Sequence, residues 1–224
     1  MLSFGDLENH PTITILIHGG AWRTGSPKEY EDVGLVIASI LGNCLIPKYT
    51  LCMNGIKWGV QMNDLINFLH SLYFEYKKPI QLIGHSCGGQ MSFCLLAIQK
   101  GLELLDFNGQ IIKYKEFGKI NHVFSVEGIY DINDMLDEYP EYINFVSQCF
   151  GEDPRMYAVA SPSSFSEYFK NEKITVIQSV DDGLLSARQS EQFAKMLGTT
   201  VNWIRGRHWE CLRLKEFQDI LRNQ

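Results

Sequence analysis

Short apolar runs, many of them rich in β-branched residues, recur at wide intervals along the chain and alternate with longer helical stretches. Because most of these runs are almost continuously apolar, they are typical of strands buried on both faces of a parallel sheet. Six strands are predicted, at 12–17, 44–49, 80–83, 122–126, 174–179 and 200–204.

Between the runs, apolar residues repeat at intervals of three and four, which indicates helices with one buried face. The pattern is clear at 65–76, whereas 86–99 is apolar on nearly all sides and predicts a central, buried helix. Further helices are predicted at 185–197 and 207–221. The alternation predicts an α/β three-layer sandwich with a mostly parallel sheet, and the absence of a linker favours one domain over 1–224.

The stretch 128–169 breaks this rhythm. It is rich in tyrosine and phenylalanine, and Pro140, Pro154 and Pro162 divide it into short pieces. We expect a small helical lid folded over the carboxyl edge of the sheet. The alternative is a surface excursion with no part in function.

Composition restricts the possible partners. The 224 residues carry a formal charge of −6, which argues against a nucleic acid or an anionic membrane. The start of the chain lacks the features of a secretory signal and no apolar run is long enough to span a bilayer, so a cytoplasmic protein is expected. Six cysteines without a Cys-x-x-Cys pair predict reduced thiols, with no zinc site and no disulfide framework. No other metal and no cofactor are expected.

Gly-His-Ser-Cys-Gly at 84–88 matches the G-x-S-x-G pattern, with a predicted strand before it and a predicted helix after it. A serine on such a sharp strand-to-helix turn presents its hydroxyl above the sheet, which makes Ser86 the candidate nucleophile. The alternative is a glycine-rich turn with a capping serine. Cys87 is not at the tip of the turn, and its thiol is expected to be a buried filler.

His-Gly-Gly-Ala-Trp at 18–22 directly follows the first predicted strand. Small residues there allow main-chain N–H groups to hold an oxyanion, and the best candidates are Gly20 and Ala21, together with Cys87 after the serine. A plain Gly-Gly turn is the alternative interpretation.

A triad in this kind of fold runs serine, acid, histidine along the chain, which leaves His208 as the base. The acid should follow the strand at 174–179, where Asp181 and Asp182 stand side by side. Spacing alone does not choose between the two aspartates. The alternatives are a capped turn for the aspartates and an exposed loop histidine for His208.

These motifs, in this order, resemble the α/β-hydrolase superfamily and, more narrowly, the fungal kynurenine formamidases. The narrower resemblance depends on His-Gly-Gly-Ala-Trp at 18–22, Glu-Gly-Ile-Tyr-Asp at 127–131, Glu-Tyr-Pro-Glu-Tyr at 138–142, and 179–189. It implies Asp182 as the acid and hydrolysis of N-formyl-L-kynurenine to L-kynurenine and formate, a step of tryptophan catabolism towards NAD. The chain departs from the superfamily at its start, so the first two strands of the superfamily fold are expected to be absent. The strand at 44–49, with Pro47, is then expected to form the sheet edge.

For such a small-molecule substrate, Trp22 and Tyr130 are candidates to line the site. Arg23 or Arg188 could bind the substrate carboxylate. Two rival functions use the same chain: a small-acyl carboxylesterase of the hormone-sensitive-lipase type, and a non-catalytic hydrolase-like binding module.

Overall fold

The computed structural model describes residues 1–106 and 108–223. Within these residues, seven strands form one sheet in the order β1-β3-β2-β4-β5-β6-β7. All neighbouring strands are parallel except β1, which runs antiparallel to β3. The strands are β1 (Leu2–Gly5), β2 (Ile13–Ile17), β3 (Asn43–Ile46), β4 (Ile80–His85), β5 (Ile120–Val126), β6 (Ile174–Ser179) and β7 (Val201–Ile204).

The expectation that β3 forms the edge of a six-stranded sheet is wrong. β1 covers β3, with Leu2 paired to Ile46 and Gly5 to Asn43. Pro47 lies just beyond β3, where it needs no ladder hydrogen bond. The sequence pattern missed β1 because the strand has only four residues, of which alternate ones are exposed.

Eight α-helices lie in the same described ranges, and none of them has both the length and the hydropathy needed to cross a bilayer. The first three are α1 (Glu31–Leu41), α2 (Trp58–Tyr76) and α3 (Cys87–Gln99). The others are α4 (Ile132–Glu138), α5 (Ile143–Phe150), α6 (Pro154–Ala160), α7 (Ala187–Leu197) and α8 (Lys215–Arg222). α8 begins later than predicted, because a short 3₁₀ turn, Cys211–Arg213, precedes it.

Two apolar layers sandwich the sheet, as predicted. Leu16 and Ile83 belong to the core shared with α1 and α8, whereas Ile15 and Leu82 belong to the core shared with α2, α3 and α7. This alternation explains why the strands read as continuous apolar runs. The predicted burial of α3 on all sides is confirmed for its residues 87–98.

The segment 128–169 folds into α4, α5, α6 and the 3₁₀ helices Pro140–Tyr142 and Pro162–Phe169. Each of its three prolines is the first residue of a helical piece, the position that proline tolerates best. The segment is bonded to the loop that follows β6. The Tyr142 hydroxyl donates to the Leu184 carbonyl at 2.9 Å, and Ser186 Oγ donates to Glu138 Oε2 at 2.6 Å. These bonds hold it over the carboxyl edge of the sheet.

Candidate active site

A sharp turn joins β4 to α3 and carries Ser86 at its tip. Ser86 has φ 56° and ψ −123°, a conformation that costs a non-glycine residue about 1–3 kcal/mol. Close packing holds the turn: a Cβ atom on Gly84 would lie 2.4 Å from the Gly88 carbonyl oxygen, and one on Gly88 would lie 2.1 Å from that of Ile17. The Ser86 N–H also donates to the Val126 carbonyl at 2.9 Å. Neighbouring strands therefore support the strained serine.

His208 and Asp182 meet beyond the ends of β7 and β6. The His208 Nδ1 atom lies 2.9 Å from Asp182 Oδ2, and the two side chains are 4% and 1% exposed. Burial alone would raise the pKa of Asp182, but the hydrogen bond and charge of His208, with the N–H groups of Leu184 and Leu185, lower it overall. Because an ionised carboxylate only accepts hydrogen bonds, Nδ1 of His208 carries the hydrogen and Nε2 is free to accept one.

The structure distinguishes the two adjacent aspartates. Asp181 is exposed, and its Oδ2 atom accepts the Gly206 N–H at 3.1 Å. Asp182 instead points at His208 and also accepts the N–H groups of the two leucines that follow. Of the pair, Asp182 is therefore the residue with the geometry of a histidine partner.

A second acid, Glu127, lies beside the same histidine. It directly follows β5, has φ 50°, and its side chain is fully buried. Its Oε2 atom lies 3.2 Å from His208 Nδ1 and 3.3 Å from His85 Nε2. Burial, and then the charge of Asp182, raise the pKa of Glu127 to about 9. Glu127 was not among the predicted site residues, although an acid directly after a buried strand is a usable signal.

A buried chain of hydrogen bonds links three parts of the site. The Gly19 N–H donates to the Tyr30 hydroxyl at 2.9 Å, and that hydroxyl lies 2.8 Å from His85 Nδ1. His85 Nε2 lies 2.8 Å from the His208 carbonyl oxygen, so it must be the donor there. Burial lowers the pKa of His85 well below its usual value, and His208 adds to the effect. A neutral His85 therefore ties the loop after β2 to the serine turn and to the histidine loop.

The loop after β2 has the expected tight form. Gly20 and Ala21 have φ values of 126° and 49°, and a Cβ atom on Gly20 would lie 2.1 Å from the Thr24 carbonyl oxygen. The Trp22 N–H donates to Cys87 Sγ at 3.3 Å, which attaches this loop to the start of α3. The N–H of Cys87 belongs to the first turn of α3, where a helix has no internal acceptor. The thiol is thus a hydrogen-bond acceptor as well as a filler.

A cavity of about 230 Å³ opens above these groups. Ser86, His208, Gly20 and Ala21 all line it. The ring of His85, next to Ser86 in the chain, lies 4.7 Å from the ring of His208. The structure therefore brings the predicted nucleophile, base and loop to one cavity, with the predicted acid directly behind the base.

The proposed substrate contacts of Trp22 and Tyr130 are corrected by the structure. Trp22 is 0% exposed and donates its indole N–H to Gln90 at 3.0 Å. Tyr130 is 1% exposed, and its hydroxyl donates to Ser125 at 2.8 Å. Both rings belong to the core, because their polar ends find partners there. The aromatic residues that line the cavity are instead Tyr142, Phe145 and Trp209.

Within residues 1–106 and 108–223, two groups of side chains have the atom types and spacing of metal ligands. They are His85 with Glu127 and Cys211, and Glu127 with Asp182 and His208, and within each group the candidate atoms lie within 4.8 Å of one another. The ring nitrogens that face these groups already donate hydrogen bonds, to the His208 carbonyl and to Asp182. They therefore offer no lone pair to an ion. All six cysteines are free and buried.

The chain is similar to a known protein family. A model of the BD-FAE family matches residues 5–197. The chain belongs to the BD-FAE family. Relatives named kynurenine formamidase occur in several fungi, and the predicted resemblance to them is confirmed. The protein of Meyerozyma guilliermondii is 31% identical over 86% of this chain and 73% of its own length. That of Scheffersomyces stipitis is 28% identical over 98% and 93%.

Solved structures with the same fold include several esterases. A truncated carbohydrate esterase from gut microbiota superposes with a TM-score of 0.71 at 18% identity, over 96% of this chain and 85% of that one. A carboxyl esterase of the fungus Tuber melanosporum also has a TM-score of 0.71 at 18% identity, over 99% and 80%. At this identity the likeness concerns the fold, and the predicted α/β-hydrolase architecture is confirmed.

Proposed function

We propose that this chain hydrolyses N-formyl-L-kynurenine to L-kynurenine and formate, with Ser86 as nucleophile, His208 as base and Asp182 as the acid behind it. The names of the fungal relatives support the substrate. The observation that carries the mechanism is the shared cavity: Ser86 and His208 both line it, and Asp182 lies 2.9 Å behind the histidine.

The first half-reaction forms a formyl-enzyme. His208 Nε2 takes the proton of Ser86 while the serine oxygen attacks the formyl carbon. The N–H groups of Gly20, Ala21 and Cys87 hold the oxyanion. The carbon–nitrogen bond then breaks, and His208 returns the proton to the leaving aryl amine.

Water completes the reaction. His208 removes a proton from a water molecule, whose oxygen attacks the formyl ester, and the serine leaves with that proton as formate departs. The acyl group is a single carbon, so the cavity needs little depth on the acyl side. Most of the space is then available to the amine product.

The aromatic ring of the substrate needs apolar walls. Phe145 and Trp209 line the cavity, and Tyr142 lines it while packed on Phe145 with a ring separation of 4.9 Å. Such rings bury an aromatic substrate in offset or edge contacts. This part of the cavity supports an aryl substrate.

The amino-acid head of the substrate needs a cation. Arg23 lines the cavity with its guanidinium carbon 5.1 Å from the centre of the Phe145 ring, and it forms no ion pair with any described residue. Arg188 is already paired with Asp134. Of the two candidates, we therefore assign the substrate carboxylate to Arg23, whose fork can bind it at two points.

The deciding experiment compares substrates on purified protein. We expect formate release from N-formyl-L-kynurenine with a kcat/KM well above that for p-nitrophenyl acetate, and we expect Ser86→Ala to abolish both. Turnover of the ester alone would favour a small-acyl esterase. No turnover, with no labelling of Ser86 by a fluorophosphonate, would favour a non-catalytic binding module.

A further inference from the structure

The carboxyl group of Glu127 occupies an unusual place for a residue outside the triad. Its Oε2 atom lies 3.2 Å from His208 Nδ1, compared with 2.9 Å for Asp182 Oδ2. The side chain is 0% exposed, and its Oε1 atom has no hydrogen-bond partner among the described residues. A buried acid with an unused oxygen is costly, which calls for an explanation.

Charge explains how two acids can share this position. A carboxylate oxygen of Glu127, one of Asp182 and a ring nitrogen of His208 lie within 4.8 Å of one another. Two buried carboxylates at this separation do not both ionise readily, so the pair holds one negative charge near neutral pH. The pKa of Asp182 is lowered whereas that of Glu127 is raised to about 9, so Asp182 holds the charge and Glu127 keeps its proton.

The groups that face Glu127 act in opposite directions. The hydrogen bonds of Cys211 and of the Ser179 main chain lower the pKa of Glu127, but by less than burial and the charge of Asp182 raise it. His85 is neutral and uses its Nε2–H mainly for the His208 carbonyl. Burial keeps the Cys211 thiol protonated by raising its pKa, and Glu127 adds to this effect. The charge that decides the state of Glu127 is therefore that of Asp182, opposed by any positive charge on His208.

We propose that Glu127 is a second acid for His208 and acts as a positioning residue. When Asp182 is absent, Glu127 accepts the Nδ1–H hydrogen bond and takes over the negative charge. Removing the Asp182 carboxylate removes one of the two causes that keep Glu127 neutral. Glu127 then releases its proton to solvent, and its carboxylate orients the ring and stabilises the imidazolium. This inference rests on the proposed serine-hydrolase mechanism.

The test is a set of variants assayed for formate release and for ester hydrolysis. We expect Glu127→Gln to lower kcat by about 2–5-fold and Asp182→Ala by about 10²–10³, less than the ~3 × 10⁴ lost where a triad acid has no substitute. The double variant, Glu127→Gln with Asp182→Ala, should lose a further ~10–100-fold in kcat, with KM nearly unchanged. Cys211→Ala, combined with Asp182→Ala, is the packing control and should add less than about twofold.

A spectroscopic measurement covers variants that are too slow to assay. With ¹⁵N-labelled histidine, the hydrogen-bonded Nδ1 proton of His208 should persist in Asp182→Ala and disappear in the double variant. Equal kcat and equal spectra for these two variants, both folded by circular dichroism, would overturn the inference while wild-type turnover leaves the proposed function intact. The inference would also be overturned if Cys211→Ala, added to Asp182→Ala, lowered kcat as much as Glu127→Gln does. An inactive wild type refutes the proposed function, and the proton signal still reports on Glu127.

Discussion

Two walls of the cavity are held in place in different ways. The wall at the strand ends presents Ser86 and His208 to the cavity. Behind it, His208 is held by buried groups that can ionise or form hydrogen bonds: His85, Glu127 and Asp182. The opposite wall, from the 128–169 segment, presents the rings of Tyr142 and Phe145, which are positioned mainly by packing. The first wall positions charge and the second provides shape.

The difference predicts how each wall fails. Buried polar contacts are sensitive to the loss of one partner, and their loss should lower kcat. Contacts with non-reacting parts of the substrate should act mainly on KM.

The largest effect is expected at the serine turn. Ser86→Ala should lower kcat by about 10⁵–10⁶, measured as formate release. Cys87→Ala is the comparison: burial raises the pKa of that thiol to about 12, so it is no nucleophile at neutral pH. The main-chain N–H of residue 87 remains, so the loss should be far smaller than the ~10²–10³ of a missing oxyanion donor. Activity that survives Ser86→Ala but not Cys87→Ala would reverse the assignment.

The next effect concerns the acid. Asp182→Asn should lower kcat by about 10⁴, more than Asp182→Ala, because an amide N–H₂ facing Nδ1 favours the wrong tautomer. Asp181→Asn should cost less than about tenfold, since among the described residues the Asp181 carboxylate accepts only the Gly206 N–H. The main-chain N–H of residue 181, which donates to Ser179 Oγ, is unchanged by the substitution. If Asp181→Asn proves to be the more damaging change, the acid has been assigned to the wrong residue.

Substrate recognition gives a smaller effect of a different kind. Arg23→Ala should raise KM for N-formyl-L-kynurenine by about 10–100-fold, the value of one charged hydrogen-bonded contact. Formanilide has the same scissile bond without the carboxylate, so its kinetics should change little. Arg188→Ala serves as the matched control and should leave the ratio of the two substrates unaltered. An equal loss on both substrates would remove Arg23 from carboxylate binding.

The smallest effect is on stability. The pKa of Glu127 is about 9 in the folded protein and 4.5 in its ordinary state. The native state therefore binds the extra proton between these values, and stability falls as pH rises through the window. The slope is at most ~1.4 kcal/mol per pH unit, or roughly 3–6 °C in Tm per pH unit for a chain of this size.

Thermal melts of wild type and Glu127→Gln between pH 6 and 10 measure this contribution. The variant should show a flatter decline than the wild type, because glutamine does not titrate. Parallel curves would mean that Glu127 is ionised in the folded protein. That result would also weaken the case for one shared charge between Glu127 and Asp182.

Much of the fold and of the proposed site was predictable from local sequence. The strands with continuous apolar runs and the all-round burial of α3 follow from periodicity, which neighbouring residues express by themselves. The serine turn is equally local, because Gly84 and Gly88 flank Ser86 within five positions. β1 escaped because four alternating residues carry too little signal.

Local sequence was enough to predict the alternation of strands and helices, the sharp turn at Ser86, and the order in which serine, acid and histidine follow the strands. The family resemblance already favoured Asp182 over Asp181, and the folded chain shows its contact with His208. That Glu127 joins these two residues, and that Trp22 and Tyr130 belong to the core, could be seen only in the folded chain. Periodicity and turn chemistry can be predicted because they depend on residues that are close together in the sequence. The partners of a buried side chain depend instead on how strands distant in sequence pack side by side.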